Sequence, residues 1–241
     1  MSFVKKIFKL MTLITRVNWR RGVLKNIAAN IELQDLLKNL DVKIIIDVGS
    51  NKGQFILLVE NFFNCQKIYS IEPIKEVLEI QKKFFKNKKN IFYYNCGLGE
   101  KKSINNFFIT RRIDSSSFLQ TNKAILLNND YKIKDQRKIK INTLDELMKN
   151  KNFNSPTLLK IDVQGYELKV LKGAIKTLKK IKYIIIETSK TEIYANQALH
   201  KNVINFLEKN NFKIIRENKS TKIRNTNYKQ KDLLLKNNLL K

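Results

Sequence analysis

Two glycines and an acid stand where an apolar run of the sequence ends. Asp47 lies near the end of VKIIIDVG (42–49), and Gly49 and Gly53 follow it within DVGSNKGQF (47–55). Glycine permits a tight turn and a close approach of the backbone to a ligand, and amides exposed at the start of a helix suit an anionic group. Asp47 is placed to hold an ammonium group or to order the loop. The segment predicts a ligand-binding turn, and the alternative is an ordinary strand-to-helix turn.

A second acid follows about twenty residues later, where an acid can accept hydrogen bonds from both hydroxyls of a ribose. This residue, Glu72, ends the run QKIYSIEP (66–73). The alternative is a surface carboxylate at a strand end. Together, the glycine turn and Glu72 predict a ligand that contains adenosine.

Two other nucleotide sites fit the sequence less well. A dinucleotide site has the pattern G-x-G-x-x-G, whereas the turn here has G-x-x-x-G with no third glycine, and no G-K-[ST] of a Walker loop occurs. S-adenosylmethionine has ribose, adenine and an amino-acid tail but no phosphate, so it fits these residues better. In YNCGLGE (94–100), the small residues Cys96 and Gly97 allow an adenine to lie against the backbone, or form a plain turn.

The fourth apolar run carries another acid. Asp162 lies in PTLLKIDVQG (156–165), and we expect it at the carboxyl end of a strand, facing the crevice. An alcohol that attacks a methyl group loses its proton, and a carboxylate within reach can accept that proton. Asp162 can instead hold a divalent metal that activates the hydroxyl, or only cap the next helix. Candidate second ligands are Glu167, Glu187 and Asp114.

The elements that must hold these residues alternate along the chain. Five apolar, β-branched runs predict strands, at 42–49, 66–73, 90–97, 156–165 and 179–188. Helical patterns predict helices at 23–40, 52–63, 74–85, 166–179 and 198–209. Such an alternation indicates a parallel sheet covered on both faces. Two last runs, 211–218 and 228–236, predict an antiparallel pair that closes the chain.

The stretch 98–154 breaks this alternation. We interpret it as an insertion near the carboxyl edge of the sheet, where substrate loops usually sit. It contains two predicted strands, 103–110 and 137–143, with a bend between them whose serines 115–117 can bind a polyol acceptor or simply form the turn. We therefore expect an N-terminal helical extension, residues 1–41, followed by one domain over residues 42–241.

In this order, DVGSNKGQF, IEP, GLGE, DSSSF, INTLDEL and LLKIDVQGYELKVLKGA closely resemble the FkbM-type methyltransferase family, over residues 42–215. The resemblance implies a class I methyltransferase fold, a doubly wound, Rossmann-like, mostly parallel α/β sheet with a terminal antiparallel strand. It also implies S-adenosylmethionine as cofactor and O-methylation of a hydroxyl on a sugar, glycan or small molecule.

By motif match, the resemblance assigns the cofactor to Asp47, Gly49, Asn51, Gly53 and Glu72. Three further residues complete the predicted cofactor site: Ser50, Cys96 and Gly97. Asp162 and Glu187 are the predicted catalytic residues, and Asp162 is also the candidate metal ligand.

The charge of the chain offers an alternative function. A formal net charge of +27 suits a polyanion, as in an RNA methyltransferase or an RNA-binding protein. However, the excess is almost all Lys and comes with many Asn and Ile, so A/T-rich codon usage explains it equally well. The lysines are scattered over every segment rather than gathered beside stacking aromatics, which favours a small-molecule or glycan acceptor over nucleic acid.

The N-terminus predicts a basic amphipathic helix. Its apolar positions are Phe3, Ile7, Leu10, Ile14 and Val17, opposite Lys5, Lys6, Lys9, Arg16 and Arg20. Such a helix can lie on an anionic membrane surface, or pack on the domain or on a second subunit. Because Lys9 interrupts the apolar stretch, we do not expect a signal peptide. The two cysteines, Cys65 and Cys96, suggest no disulfide framework and fit a reduced, cytoplasmic protein.

Overall fold

A computed structural model of the protein describes residues 11–223, 226 and 228–240. Within these residues there are eleven β-strands and eight complete α-helices, and residues 11–14 are also helical. The strands are β1 (Ile44–Val48), β2 (Lys67–Ile71), β3 (Ile91–Tyr94), β4 (Gly97–Leu98), β5 (Ser103–Thr110), β6 (Ile133–Asn142), β7 (Thr157–Ile161), β8 (Tyr183–Ser189), β9 (Phe212–Glu217), β10 (Thr221–Lys222) and β11 (Lys229–Asn237). The helices are α1 (Val17–Leu24), α2 (Gln34–Leu37), α3 (Gln54–Val59), α4 (Lys75–Phe84), α5 (Leu144–Met148), α6 (Glu167–Lys172), α7 (Ile175–Leu178) and α8 (His200–Lys209).

The main sheet has the strand order β3-β2-β1-β7-β8-β11, with β9 and β10 both paired to β11. Strands β1, β2, β3, β7 and β8 run parallel. Strand β11 runs antiparallel to its neighbours β8 and β9. The predicted doubly wound, mostly parallel sheet with an antiparallel last strand is therefore confirmed.

Strand β1 shows how the sequence builds the core. Ile44, Ile46 and Val48 pack on one face of the sheet and Ile45 packs on the other, and all four are buried. Because successive side chains alternate between the faces, a strand covered on both sides must be apolar throughout. Asp47 breaks this pattern and is completely buried. The second-last residue of the strand therefore places a carboxylate in the core.

The stretch predicted as an insertion forms a second, three-stranded sheet with the order β4-β6-β5. Both predicted strands are present, and β6 begins at Ile133, earlier than the pattern indicates. Strands β5 and β6 pair antiparallel, and the serine-rich bend returns to β5 through a bridge between Phe108 and Ser117. The bend is thereby held beside the carboxyl edge of the main sheet.

The predicted helix over 166–179 is divided into α6 and α7. The carbonyl of Gly173 accepts a hydrogen bond from the amide of Asp145 (3.0 Å) instead of one from within the helix. The carboxylate of Asp145 then accepts from the amides of Lys176 (3.0 Å) and Thr177 (2.7 Å), at the start of α7. A distant side chain therefore begins a new helix where the local pattern predicts one continuous helix.

The prediction of one helix over 23–40 is wrong. Helix α1 ends at Leu24, where Asn26 adopts the left-handed conformation with a φ of 57°. The amide of Ile27 donates back to the carbonyl of Gly22 (2.8 Å), which closes the helix end. Asparagine tolerates this conformation better than most residues. The apolar residues that follow are still buried, but they belong to a turn, a short 3₁₀ helix and α2.

The aromatic side chain of Trp19 anchors helix α1 to the domain. Trp19 is 4% exposed, and its indole nitrogen donates to the carbonyl of Leu57 (3.0 Å). Ile14 and Val17, from the predicted apolar face, are exposed instead. The remaining positions of that face and its basic partners, Phe3, Ile7, Leu10, Lys5, Lys6 and Lys9, lie outside the described residues. Membrane contact stays a prediction.

Every helix in the described ranges is too short or too polar to span a bilayer. Cys65 and Cys96 are both free thiols and are partly buried. Burial raises the pKa of Cys65 to about 12 and that of Cys96 to about 11, so both thiols are neutral at physiological pH.

Candidate functional site

A crevice of about 550 Å³ opens at the carboxyl ends of β1, β2 and β7. This is the edge at which parallel α/β sheets bind ligands. Six of the predicted site residues line it: Gly49, Asn51, Glu72, Cys96, Gly97 and Asp162. The other four are outside its lining: Asp47, Ser50, Gly53 and Glu187.

The turn after β1 lies against the segment after β7. Gly49 has a φ of +76°, and a Cβ atom there would lie 1.9 Å from the carbonyl oxygen of Asp162. Only glycine fits both the conformation and the space. The amides of Gly49 and Ser50 donate to the carbonyl of Ile71 (3.0 and 3.1 Å), and the amide of Asn51 donates to Glu72. The expectation of free amides for an anionic group is therefore wrong at these three positions. Their hydrogen bonds are accepted by Ile71, the last residue of β2, and by Glu72, which follows it.

Glu72 is held by two backbone amides. Its Oε2 accepts from Asn51 and its Oε1 from Ile74, both at 2.9 Å. The side chain is 5% exposed, and this burial raises the pKa of Glu72 to about 7 although the two amides oppose the rise. Each carboxylate oxygen accepts more than one hydrogen bond. Glu72 thus retains capacity for donors in the crevice that it lines.

Buried acceptors without partners surround the turn. Neither carboxylate oxygen of Asp47 has a hydrogen bond within the described part of the chain, and the same holds for Oδ1 of Asn51. The ammonium of Lys160 lies 3.4 Å from Oδ1 of Asp47. Burial raises the pKa of Asp47, and Lys160 counteracts that rise. Because an unsatisfied buried acceptor is costly, Oδ1 of Asn51, which lines the crevice, suits a ligand that brings hydrogen-bond donors, such as the ammonium of an amino-acid tail.

A polar network behind the turn was not predicted from the sequence. The Ser70 hydroxyl lies 2.8 Å from Ser50 Oγ and 2.5 Å from Gln81 Oε1. The Gln81 amide nitrogen donates to the carbonyl of Asn51 (3.0 Å). Ser70 interrupts an apolar strand, and Gln81 occupies the buried face of α4 one turn after Val77. Polar residues at such core positions are the sequence signal that could have revealed the network.

Asp162 faces the crevice with a side chain that is 35% exposed. Its Oδ1 accepts from the side-chain amide of Gln164 (2.6 Å), and its Oδ2 lies 3.4 Å from the Lys160 ammonium. The Gln164 side chain is fixed in turn by the Tyr194 hydroxyl, which donates to Gln164 Oε1 (2.8 Å). A partly exposed carboxylate held from two sides can accept a proton from a hydroxyl bound in the crevice.

Glu187 lies behind Gln164 rather than in the crevice lining. Its Oε2 accepts from Gln230 (2.5 Å) and lies 3.4 Å from the Gln164 amide nitrogen. Burial and then the neighbouring charges of Asp162 and Asp232 hold the pKa of Glu187 well above its ordinary value. Its carboxylate therefore reaches the crevice only through Gln164, and its catalytic role stays a prediction.

The insertion contributes an aromatic ring to the crevice. Phe118 lies so close to Gly97 that a Cβ atom there would be 2.3 Å from the ring. The ring is held by Phe107 and Tyr166, with centroids 4.8 and 5.2 Å away. The hydroxyl of Ser117, which the sequence offered to a polyol acceptor, donates instead to the carbonyl of Gln164 (2.7 Å).

No group of three or more His, Cys, Asp and Glu residues in the described ranges is placed to hold a metal ion. The carboxylate of Glu167 accepts from the amides of Val163 (3.2 Å) and Gly165 (3.0 Å) and so braces the turn after β7. Asp114 is paired with Arg112 (2.6 Å). Metal binding at Asp162 stays a hypothesis, and two of the three candidate second ligands, Glu167 and Asp114, have other partners.

Comparison with known proteins identifies the family. Residues 47–214 match the domain described as the methyltransferase FkbM domain. The chain belongs to the FkbM methyltransferase family. A similar curated protein is the hexuronic acid methyltransferase AglP of Haloferax volcanii, with 34% identity over 65 residues, which are 26% of this chain and 27% of that protein. The similarity thus spans about a quarter of that relative's length.

Two solved structures resemble this FkbM-family protein weakly. M. capricolum TrmK, in complex with S-adenosyl-homocysteine, has 16% identity and a TM-score of 0.47, covering 87% of this chain and 69% of that chain. Aeropyrum pernix fibrillarin, with bound S-adenosyl-L-methionine, has 12% identity and a TM-score of 0.46, covering 83% and 71%. The strand order and the family identify the class I methyltransferase fold.

Proposed function

We propose that this FkbM-family protein is an S-adenosylmethionine-dependent methyltransferase that methylates a hydroxyl group of a sugar, glycan or small molecule. One observation carries the proposal. The crevice brings Asn51 and Glu72, on the predicted cofactor side, together with Asp162, on the predicted acceptor side. A site for methyl transfer needs this juxtaposition, because the reaction joins two ligands in one place.

The residues present fit the cofactor. When bound, S-adenosylmethionine supplies an activated methyl group. The unpartnered Oδ1 of Asn51 suits the ammonium of its amino-acid tail, and Glu72 suits the ribose hydroxyls. The ring of Phe118, which packs on Gly97, offers a flat apolar surface for the adenine.

Asp162 would accept the proton that the acceptor hydroxyl loses. Gln164 and Lys160 hold the carboxylate in place from opposite sides. Glu187 contributes through Gln164, since its nearest approach to the crevice is the contact with that amide. The chain's own residues thus orient the acceptor and take its proton.

The acceptor class is supported by the similar protein AglP, whose name specifies a hexuronic acid. The lysines of this chain are spread along the sequence rather than concentrated with aromatic residues, so the sequence does not favour nucleic acid. A sugar or another polyol is therefore the acceptor that we propose.

Calorimetric titration with S-adenosylhomocysteine tests the cofactor. The wild-type protein should bind, and Glu72→Ala should weaken binding by about 1–3 kcal/mol, the scale for unpaired buried polar groups. Glu79→Ala is the matched control, because Glu79 is exposed on α4 and pairs only with Lys82 among the described residues. If correctly folded wild-type protein does not bind, the proposed function is wrong.

The acceptor is tested with labelled S-adenosylmethionine and separated cell glycans, small molecules, lipids and RNA. Label should enter the glycan or small-molecule fraction, and Asp162→Asn should slow its transfer by about 10²–10⁴-fold, the usual contribution of a general base. Label that enters RNA alone would favour the alternative function that the charge suggests.

A further inference from the structure

Lys160 is a buried cation inside the site. It lies in β7 directly beside Asp47 of β1, in the register Asp47↔Lys160. The lysine is 5% exposed, and the aspartate is fully buried. Lysine is almost never buried to this extent unless it is paired, so its partners define what it does.

The ammonium has three acceptors around it. Its Nζ lies 3.4 Å from Asp47 Oδ1, 3.4 Å from Asp162 Oδ2 and 3.3 Å from the carbonyl oxygen of Gly49. An ammonium has three N–H donors, so each donor has one nearby acceptor. Within the described part of the chain, no other Lys or Arg side chain forms an ion pair with either carboxylate.

These three acceptors belong to different parts of the site. Asp47 and Gly49 are in the predicted cofactor turn, and Asp162 is the carboxylate on the acceptor side. The two segments already touch at the backbone, where Gly49 lies against the Asp162 carbonyl. Lys160 adds a contact through which the charged groups of both segments meet.

We propose that Lys160 is a positioning residue that couples the cofactor turn to the acceptor-side carboxylate, holding Asp47, the Gly49 carbonyl and Asp162 in one arrangement. The proposal rests on the proposed function. Lys160 does not touch substrate and acts through Asp47 and Asp162. Without its charge, the two carboxylates face each other across the turn and repel when both are ionised.

Binding of S-adenosylhomocysteine as a function of pH tests this role in Lys160→Met, a neutral variant of similar length. At neutral pH its affinity should fall by roughly ten- to a hundred-fold. The ratio of dissociation constants, variant to wild type, should rise with pH, because burial raises the pKa of Asp47 and the variant lacks the lysine that counteracts this rise, so that protonation of Asp47 relieves the repulsion at low pH. A lysine that only fills space would give a ratio that does not change with pH.

The other carboxylates that act on Lys160 are Glu72, Glu187 and Asp232. Lys160 lowers the pKa of each, so Lys160→Met also shifts their titration, and comparison with the double variant described below separates the contribution of Asp47 from theirs. Lys182→Met is the matched control, because Lys182 lies at the opposite edge of the sheet, where its amide donates to Thr157. Its ratio should stay near one.

The double variant Asp47→Asn with Lys160→Met completes the cycle. It lacks the buried carboxylate that Lys160 neutralises, so it should recover affinity relative to Lys160→Met and lose most of the pH dependence. It also provides the test if Lys160→Met does not fold. Equal affinity of Lys160→Met and wild type at every pH, or a double variant no better than the single one, would overturn the proposal. Absence of binding by the wild type would instead reject the proposed function.

Discussion

Among the buried residues of the site, hydrogen-bond acceptors outnumber hydrogen-bond donors. Asp47 and Glu72 are buried carboxylates, Asn51 presents a buried oxygen without a partner, and Lys160 is the buried cation beside them. Burying acceptors without donors costs free energy, and a ligand that donates hydrogen bonds to them removes this cost when it binds. The site is therefore less stable without a ligand than a fully paired core would be, and this favours binding of an ammonium and of hydroxyl groups.

The pH dependence of stability tests the burial of Glu72. Its folded pKa is raised from 4.5 to about 7 by burial. A raised carboxylate pKa means that the group's contribution is full below the unfolded pKa and is lost as the pH rises through about 7. Glu72→Gln removes this titration. Relative to wild type, the variant should therefore gain stability between about pH 5 and 8, on the order of 1.4 kcal/mol for each unit of pKa shift.

Urea unfolding at several pH values measures this gain. Glu79→Gln is the control, because Glu79 is exposed and should show no such trend. A constant difference between Glu72→Gln and wild type across the range would mean that Glu72 has an ordinary pKa in the folded protein.

The sequence was most informative about residues whose position follows from local pattern. Gly49, Glu72 and Asp162 stand at the ends of apolar runs, and a parallel sheet brings such ends together at one edge. Lys160 and Gln164 were not predicted, because their roles depend on which side chains lie beside them in neighbouring strands. Strand register is a tertiary property, and one chain's local pattern does not specify it.

Strands and helices were likewise predicted correctly where local pattern determines them, and incorrectly where distant contacts do. The buried strands were predicted from continuous apolar runs, and their parallel direction agrees with the alternation of strands and helices. The helix predicted over 23–40 failed because one left-handed residue, Asn26, ends α1. The helix predicted over 166–179 was divided by a hydrogen bond to Asp145, which is distant in sequence. Apolar periodicity indicates which residues are buried more reliably than it indicates where a helix stops.

Helix α1 gives the element-scale prediction. Trp19 is buried and its indole donates to Leu57, so Trp19→Ala should destabilise the whole domain by about 3–5 kcal/mol in guanidinium unfolding. Val17→Ser, on the exposed side of the same helix at 70% exposure, should change stability by less than about 0.5 kcal/mol. Equal effects of the two substitutions would mean that α1 does not pack on α3.

At the scale of the whole molecule, charge is the dominant feature. The chain has 48 Lys and Arg residues against 21 Asp and Glu, so most of its cations have no acidic partner to pair with. Several of the acids are also buried in the site, as Asp47, Glu72 and Glu167 are. The outer surface is therefore more basic than the composition alone indicates, and it attracts polyanions whatever the enzyme's acceptor is.

This charge predicts RNA binding of a non-specific kind. Affinity for a short single-stranded RNA, measured by fluorescence anisotropy, should fall at least about ten-fold between 50 and 200 mM salt, because binding releases counterions. It should be similar for RNAs of different sequence, since scattered lysines contact phosphates and do not read bases. S-adenosylhomocysteine should not alter it, because the crevice is lined by acids and apolar groups rather than by lysines. Binding that persists at the higher salt, discriminates among sequences and is coupled to the cofactor would contradict this prediction and make RNA the acceptor to pursue.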